Sequence, residues 1–498
     1  MNDECDNKKG DYEGGACTGE IASEEVPASG RHGMDLTKGP IFRTLIVFSL
    51  PIVLQFSIQP LFGFMDSIFI ARIDPKAFAA VTNAGLLQML VIMLAAGLAN
   101  GVNSYISRLV GAGDLEEADN AANHAIMLML VFSLGALALG LPFDREFFRA
   151  LNVEEELMPR AHQYVKIILI GNVTIMFTLV GANILRGEGN SVVPLIIASL
   201  SLALNLVLDP LLIFGADDEV FGLSIGYFGM DVSGAALATV ISRGLGCALL
   251  IGYLLRGKSV WTFSFKNFKF NPTHFVEILR VGFPMLLVNF TAWTKNIVFF
   301  RLLNKEPDAM VAMGMGMRLD MVAVLPMIGL MLGVLSMVGQ NYGAGDIGRA
   351  RRSAWAGVSI VAGFSALVYV LLLIFPSEFV SLFNKTGDPH IQELGENYIF
   401  IVGPTYLFVG AAFVLNGAFQ GLGKGFPPLV ITGTRFLLVA IPLALILYPL
   451  MGANGAWIAV ASAHIVGGVF AFIWVMIEFR RRERMAQESG LTSGTSPE

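Results

Sequence analysis

Two aspartates and an asparagine sit in apolar stretches where lipid would not tolerate them. The segment from Phe48 to Ile73 is long enough to cross a bilayer, for which about 20 apolar residues suffice, yet it carries Asp66 well inside. An ionised carboxylate at the centre of a membrane helix costs at least ~2.5 kcal/mol, so such a residue faces protein or water and handles a proton, an ion or a substrate. Gln59 lies seven residues earlier, two turns along the same helix face. In a later apolar run Asn205 and Asp209 are four apart and share one face. With Asp66 they offer hard oxygen ligands to a small cation, or they share a proton, because two carboxylates brought close in a low dielectric do not both ionise cheaply. Blander roles remain open: Asp209 precedes Pro210 near a span's end and could turn the chain, and Asn205 could be interhelical glue.

The elements that hold these residues are membrane spans. The chain has 498 residues, 55% hydrophobic and 14% charged, with 54 glycines, too little polar surface for a soluble globule of this length. Twelve apolar runs are long enough to span, from residues 41–70 to 454–478. The expectation is an all-α integral membrane protein. Residues 1–40 form an acidic tail expected to be disordered and retained, and 481–498 a second polar tail. Taking the amino terminus as cytoplasmic puts eighteen Lys and Arg inside and eight outside, so both termini are expected in the cytoplasm and the chain in the plasma (inner) membrane. Cys5, Cys17 and Cys247 form no metal or disulfide pattern.

The chain is duplicated. GAGD recurs at Gly111 and Gly343, Pro51 matches Pro284, and RGEGNSVVP closing at Pro194 matches QGLGKGFPP closing at Pro428, at offsets of 232 to 234. Beyond the acidic loop of Asp217, Asp218, Glu219 and Asp231 the offset falls to 221, pairing Ser233 with Asn454. Six spans per repeat is even, so both halves enter the membrane in the same sense: an N-lobe of residues 41–256 and a C-lobe of 280–480, joined by a linker at 257–279. The repeat places Phe299 opposite Asp66, and Pro442 or Leu443 opposite Asp209. A requirement of the fold should recur in both halves, so unmatched acids point to function.

LPIV…FMDSIFIARI, GAGD, NILRGEGN, LNLVLDPLLIFG and GAALATVISR together resemble the multidrug and toxic compound extrusion (MATE) transporters, most closely their prokaryotic DinF-like branch, over residues 40 to 480. The resemblance implies a two-lobed exporter that exchanges an organic compound for protons or sodium. It carries the family's cation site, for H+ or Na+, onto Asp66, Asn205, Asp209 and Thr239, with Ala235 offering a carbonyl; its pocket polar residues onto Gln59 and Asn183; and its bending proline onto Pro51. Thr239 could equally back-bond its own helix, and Pro51, matched by Pro284, could be a shared architectural kink.

The remaining intramembrane charges, Arg243, Lys295, Arg318, Asp320 and Arg435, are read as mainly structural. No Walker A, HExxH or GxSxG occurs and the six histidines are scattered, so an ATP-driven pump or a membrane enzyme is the weaker reading. The favoured one is a secondary antiporter for organic, drug-like cations. It has no cofactor beyond its coupling ion and no catalytic residue; its partners are small organic substrates and membrane lipids, with no nucleic acid, and it acts as a monomer. A lipid or lipid-linked oligosaccharide flippase is the alternative, favoured if Arg243, Lys295 and Arg435 line a cavity.

Overall fold

A computed structural model describes residues 33–73, 75–150, 153–216, 227–262, 268–384 and 387–488, apart from the side chains of Gln59, Phe64, Ser67, Pro75 and Ala150. Most of the amino-terminal tail, Asp217 to Glu219 of the acidic loop, Phe263 to Lys266 of the linker and the carboxy-terminal tail beyond Glu488 therefore lie outside the described residues.

Among the described residues, twelve helices are long and apolar enough to cross a membrane. In lipid the backbone must satisfy its own hydrogen bonds, which the helix does within one segment. The N-lobe holds α1 (Ile41–Ile70), α2 (Pro75–Ala112), α3 (Leu115–Ala150), α4 (Met158–Gly187), α5 (Val192–Ile213) and α6 (Val232–Leu255). The C-lobe holds α7 (Pro272–Leu303), α8 (Pro307–Gly343), α9 (Ile347–Ile374), α10 (Pro389–Gly421), α11 (Phe426–Met451) and α12 (Ala453–Glu488). Two C-lobe spans are interrupted: α10 by a 3₁₀ turn at Gly403–Thr405 and α11 by a π-helical stretch at Thr434–Ala440.

The repeated GAGD has a backbone explanation. Its second glycine, Gly113 or Gly345, ends a helix at φ 81° or 79°, where a side chain would be strained. The aspartate then caps the next helix: Asp114 Oδ1 accepts from Glu117 N at 3.1 Å and Asp346 Oδ1 from Arg349 N at 2.7 Å. The first glycine serves the lobe interface. Gly111 of α2 lies against the Gln340 carbonyl of α8, and Gly343 lies against the Arg108 carbonyl of α2, so the two helices cross at backbone distance. The same exchange recurs higher up: Gly97 and Gly101 of α2 abut α7, while Gly329 and Gly333 of α8 abut α1. The lobes are thus sealed at their GAGD ends.

The apolar cores follow this exchange. Leu45, Phe48 and Ile52 of α1 pack in the C-lobe core, whereas Phe69 and Ile70 at its other end pack in the N-lobe core. Conversely α7 begins in the N-lobe core with Ile278 and ends in its own with Phe299 and Leu303. The first helix of each lobe crosses between lobes: α1 stays with the C-lobe core through Phe56 and so crosses beyond Pro51, nearer Pro60, while α7 crosses in the stretch that holds Pro284.

Candidate functional site

The first cluster lies inside the N-lobe. Asp66 of α1, Asn205 and Asp209 of α5, and Thr239 and Ala235 of α6 are all buried, Asn205 and Asp209 completely. Asp209 is not a turn residue: α5 runs through Pro210 to Ile213. Its i, i+4 spacing lets Asn205 Nδ2 donate to Asp209 Oδ1 at 3.1 Å. Thr239 Oγ1 donates to Asp66 Oδ2 across the helices at 3.4 Å, and Asp66 also faces Asn205 and Asp209. Ala235 stands one turn before Thr239, its carbonyl engaged in the helical ladder.

Three oxygens in this cluster, Asp66 Oδ1, Asp209 Oδ2 and Asn205 Oδ1, are buried without a hydrogen-bond donor. Orphaned acceptors converging from two helices suit a proton or a small hard cation. The donor set fits Na+ in kind, all oxygen, though among the described residues no group of three or more His, Cys, Asp or Glu stands together. Arg243 of α6 belongs to this neighbourhood, stacked 4.1 Å over the Phe62 ring and acting on Asp66.

The other expected residues fall elsewhere. Asn183 is buried at the lobe interface, where its Nδ2 donates to Leu179 O at 2.9 Å and its Oδ1 accepts from Asn103 at 3.5 Å. Pro51 lies inside an unbroken α1 together with Pro60. The side chain of Gln59 lies outside the described residues.

A second cluster, which sequence reasoning set aside as structural, lines a C-lobe cavity of about 480 Å³. Its one carboxylate, Asp320 of α8, accepts from Tyr398 Oη at 2.7 Å and Tyr406 Oη at 2.8 Å, both on α10. Gly316, one turn before Asp320, leaves the space the Tyr398 ring fills. Lys295 and Arg435 both lie over one ring: Lys295 Nζ is 5.4 Å and the Arg435 guanidinium 4.5 Å from the Phe436 centroid. Arg435 and Phe436 belong to the π-helical stretch, and Gly467 of α12 gives the arginine stem room. His464 Nδ1 meets Thr405 Oγ1 at 2.8 Å beside the 3₁₀ turn. The available signal was three charges at membrane depth, Lys295, Asp320 and Arg435; what the sequence lacks is any local motif joining α7, α8 and α11.

Twelve membrane-crossing helices in two related lobes, with ionisable groups held at depth, define a polytopic transporter-like membrane protein. The MatE family model matches residues 51–211 and 282–446, one copy per lobe, and the chain belongs to that family of membrane transporters. A FAD transporter of Shewanella oneidensis is 28% identical over 89% of this chain and 95% of its own, and a protein described as "Probable multidrug resistance protein NorM" of Thermotoga maritima is 28% identical over 85% and 89%. Among solved structures, one titled "Crystal structure of MATE in the bent conformation" is similar with a TM-score of 0.83 at 25% identity, covering 91% of this chain and 98% of that one. The chain is accordingly a multi-pass membrane protein of a drug-efflux family.

Proposed function

We propose that this protein is a secondary antiporter that exports organic, drug-like compounds in exchange for H+ or Na+, with the ion held by Asp66 and Asp209. The single observation that carries this reading is the pair of buried carboxylates from α1 and α5 with three donorless oxygens between them and Asn205. A cluster of that kind changes its internal hydrogen bonding when it gains or loses a cation. Because Asp66 stands on α1, which carries Pro51 and Pro60 and passes from the C-lobe core at Phe56 to the N-lobe core at Phe69, that change reaches the lobe contact directly. Proline removes a backbone donor and weakens the helix there, so α1 is the element suited to bend. Export then requires that ion and substrate prefer opposite states.

Organic cations are the substrate class the N-lobe acids attract. A second reading, the flippase, draws on Lys295 and Arg435 in the C-lobe cavity; Arg243, its third expected cation, stands beside Asp66 instead. The test is export of ethidium from proteoliposomes under imposed proton or sodium gradients, for wild type and Asp66→Asn. The expected result is gradient-driven export that Asp66→Asn abolishes. Export unchanged in Asp66→Asn sinks the coupling assignment, and no ethidium transport under either gradient sinks the organic-cation antiporter.

A further inference from the structure

The C-lobe cavity has the opposite polarity to the acid cluster, and its unmet hydrogen-bonding capacity is mostly on the donor side. Lys295 and Arg435 both line it, and among the described residues neither has a carboxylate within 4.0 Å or a hydrogen bond. Arg435 Nε is buried with no acceptor. The indole of Trp457, 1% exposed, also lines the cavity, and its Nε1 donor has no partner. Against these donors stand one carboxylate, Asp320, already holding two tyrosine hydroxyls, and one orphaned amide oxygen, Asn416 Oδ1. Two cations against one anion leave an excess positive charge at membrane depth. The two cations share the face region of one ring, Phe436, and so repel each other.

An uncompensated buried charge is costly, and buried donors without acceptors add to that cost. An oxyanion relieves both at once: guanidinium and ammonium are the usual partners of carboxylate and phosphate. The rest of the wall combines the polar groups of Asn100, Asn289, Asn296, Thr432 and His464 with an aromatic side of Phe56, Phe299, Phe413 and Phe436, and the volume suits a small organic molecule. We propose that this cavity is an organic-anion site: a carboxylate or phosphate bound between Lys295, Arg435 and the Trp457 indole, carried on an aromatic body that stacks on the phenylalanines. The same chemistry is offered by a soluble aryl phosphate and by the headgroup of an anionic lipid. The assignment is independent of the coupling reading, because equilibrium binding reports it without an ion gradient.

The experiment is equilibrium dialysis of naphthyl phosphate, methoxynaphthalene and naphthylmethylammonium, matched in ring and opposed in charge, against full-length protein in phosphatidylcholine nanodiscs, with empty nanodiscs as blank. Wild type is expected to bind the phosphate about tenfold or more tighter than the ammonium, the preference expected from one charge–charge contact of ~1.4 kcal/mol. Lys295→Gln and Arg435→Gln each remove that preference, and Asp320→Asn, which keeps an acceptor for the tyrosines, strengthens phosphate binding; a merely structural cluster gives no such gain. Adding phosphatidylglycerol to the discs separates the two sources: competition assigns the site to a lipid headgroup, and no competition to a soluble anion, the anion site standing in both cases. Equal binding of phosphate and ammonium by wild type, or an unchanged preference in both glutamine variants, overturns the proposal. Loss of ethidium export with intact phosphate binding would break the antiporter reading alone.

Discussion

The two lobes are one sequence used twice, and at the same depth they hold opposite chemistry. In the N-lobe, acids from α1 and α5 face each other beside Arg243 and the buried Tyr164. In the C-lobe, the repeat offsets put Phe299 where Asp66 stands, Lys295 at Phe62, Tyr398 at Tyr164 and His464 at Arg243. The tyrosine stays beside an acid in both lobes, but the C-lobe acid comes from α8. Backbone regularity differs in parallel: α4 and α5 are continuous α-helices, while their counterparts α10 and α11 carry the 3₁₀ and π-helical stretches at Thr405 and Arg435. The duplicated scaffold therefore supplies position, and individual substitutions supply polarity. On the two readings proposed above, one lobe serves a cation and the other an anion.

The largest expected effect separates the lobes by function. Asp209→Asn should cut gradient-driven export at least tenfold, within the 5–150-fold span of typical coupling energies, whereas Asp320→Asn should retain ion dependence and alter only which compounds are carried. Parallel efflux assays with several organic probes read both; ion coupling lost in Asp320→Asn breaks the division of labour. A smaller effect is expected at the element the lobes share. Gly343→Leu places a side chain against the Arg108 carbonyl, and overpacking of this kind costs about 1–3 kcal/mol. Spin-label distances across the GAGD ends of α2 and α8 should shift toward an opened population in that variant, and an unchanged distance distribution would contradict the sealed interface.

The smallest effect lies outside both sites. Glu188, in the turn between α4 and α5, accepts from Ser259 Oγ at 2.7 Å and Trp261 N at 3.2 Å, and burial pushes its carboxyl up to about 7 despite those bonds. Between the ordinary glutamate range and about pH 7 the unfolded chain has released this proton while the folded protein keeps it, so stability falls as pH rises through that window. Melting temperatures of wild type and Glu188→Gln should draw apart by a few degrees from pH 5 to pH 8, the variant being less pH-dependent. Parallel pH profiles would mean that Glu188 does not carry this dependence.

The twelve spans, the duplication and the N-lobe cluster were legible in the sequence because each leaves a local mark: apolar length, a repeated GAGD, and acids within apolar runs. Thr239 needed family resemblance, since a threonine in a helix carries no such mark. The C-lobe cluster was missed for a physical reason. A search for acids at the repeat equivalents of Asp66 and Asp209 finds Phe299 and Pro442 or Leu443, while the acid that matters there sits on α8 and is joined to Lys295 and Arg435 only by packing. The 3₁₀ turn at Gly403-Pro404 has a proline signal; the π-helical stretch beginning at Thr434 contains neither glycine nor proline and has none.

The central claim, that the N-lobe acids hold the coupling ion, is tested most directly by ion occupancy in the absence of any transported compound. Proton uptake after a pH step, and radioactive sodium binding, can be measured on purified protein in nanodiscs for wild type and for the Asp66→Asn, Asp209→Asn double variant. The account predicts that wild type takes up one of these ions and that the double variant does not. Equal uptake by the two proteins would contradict it.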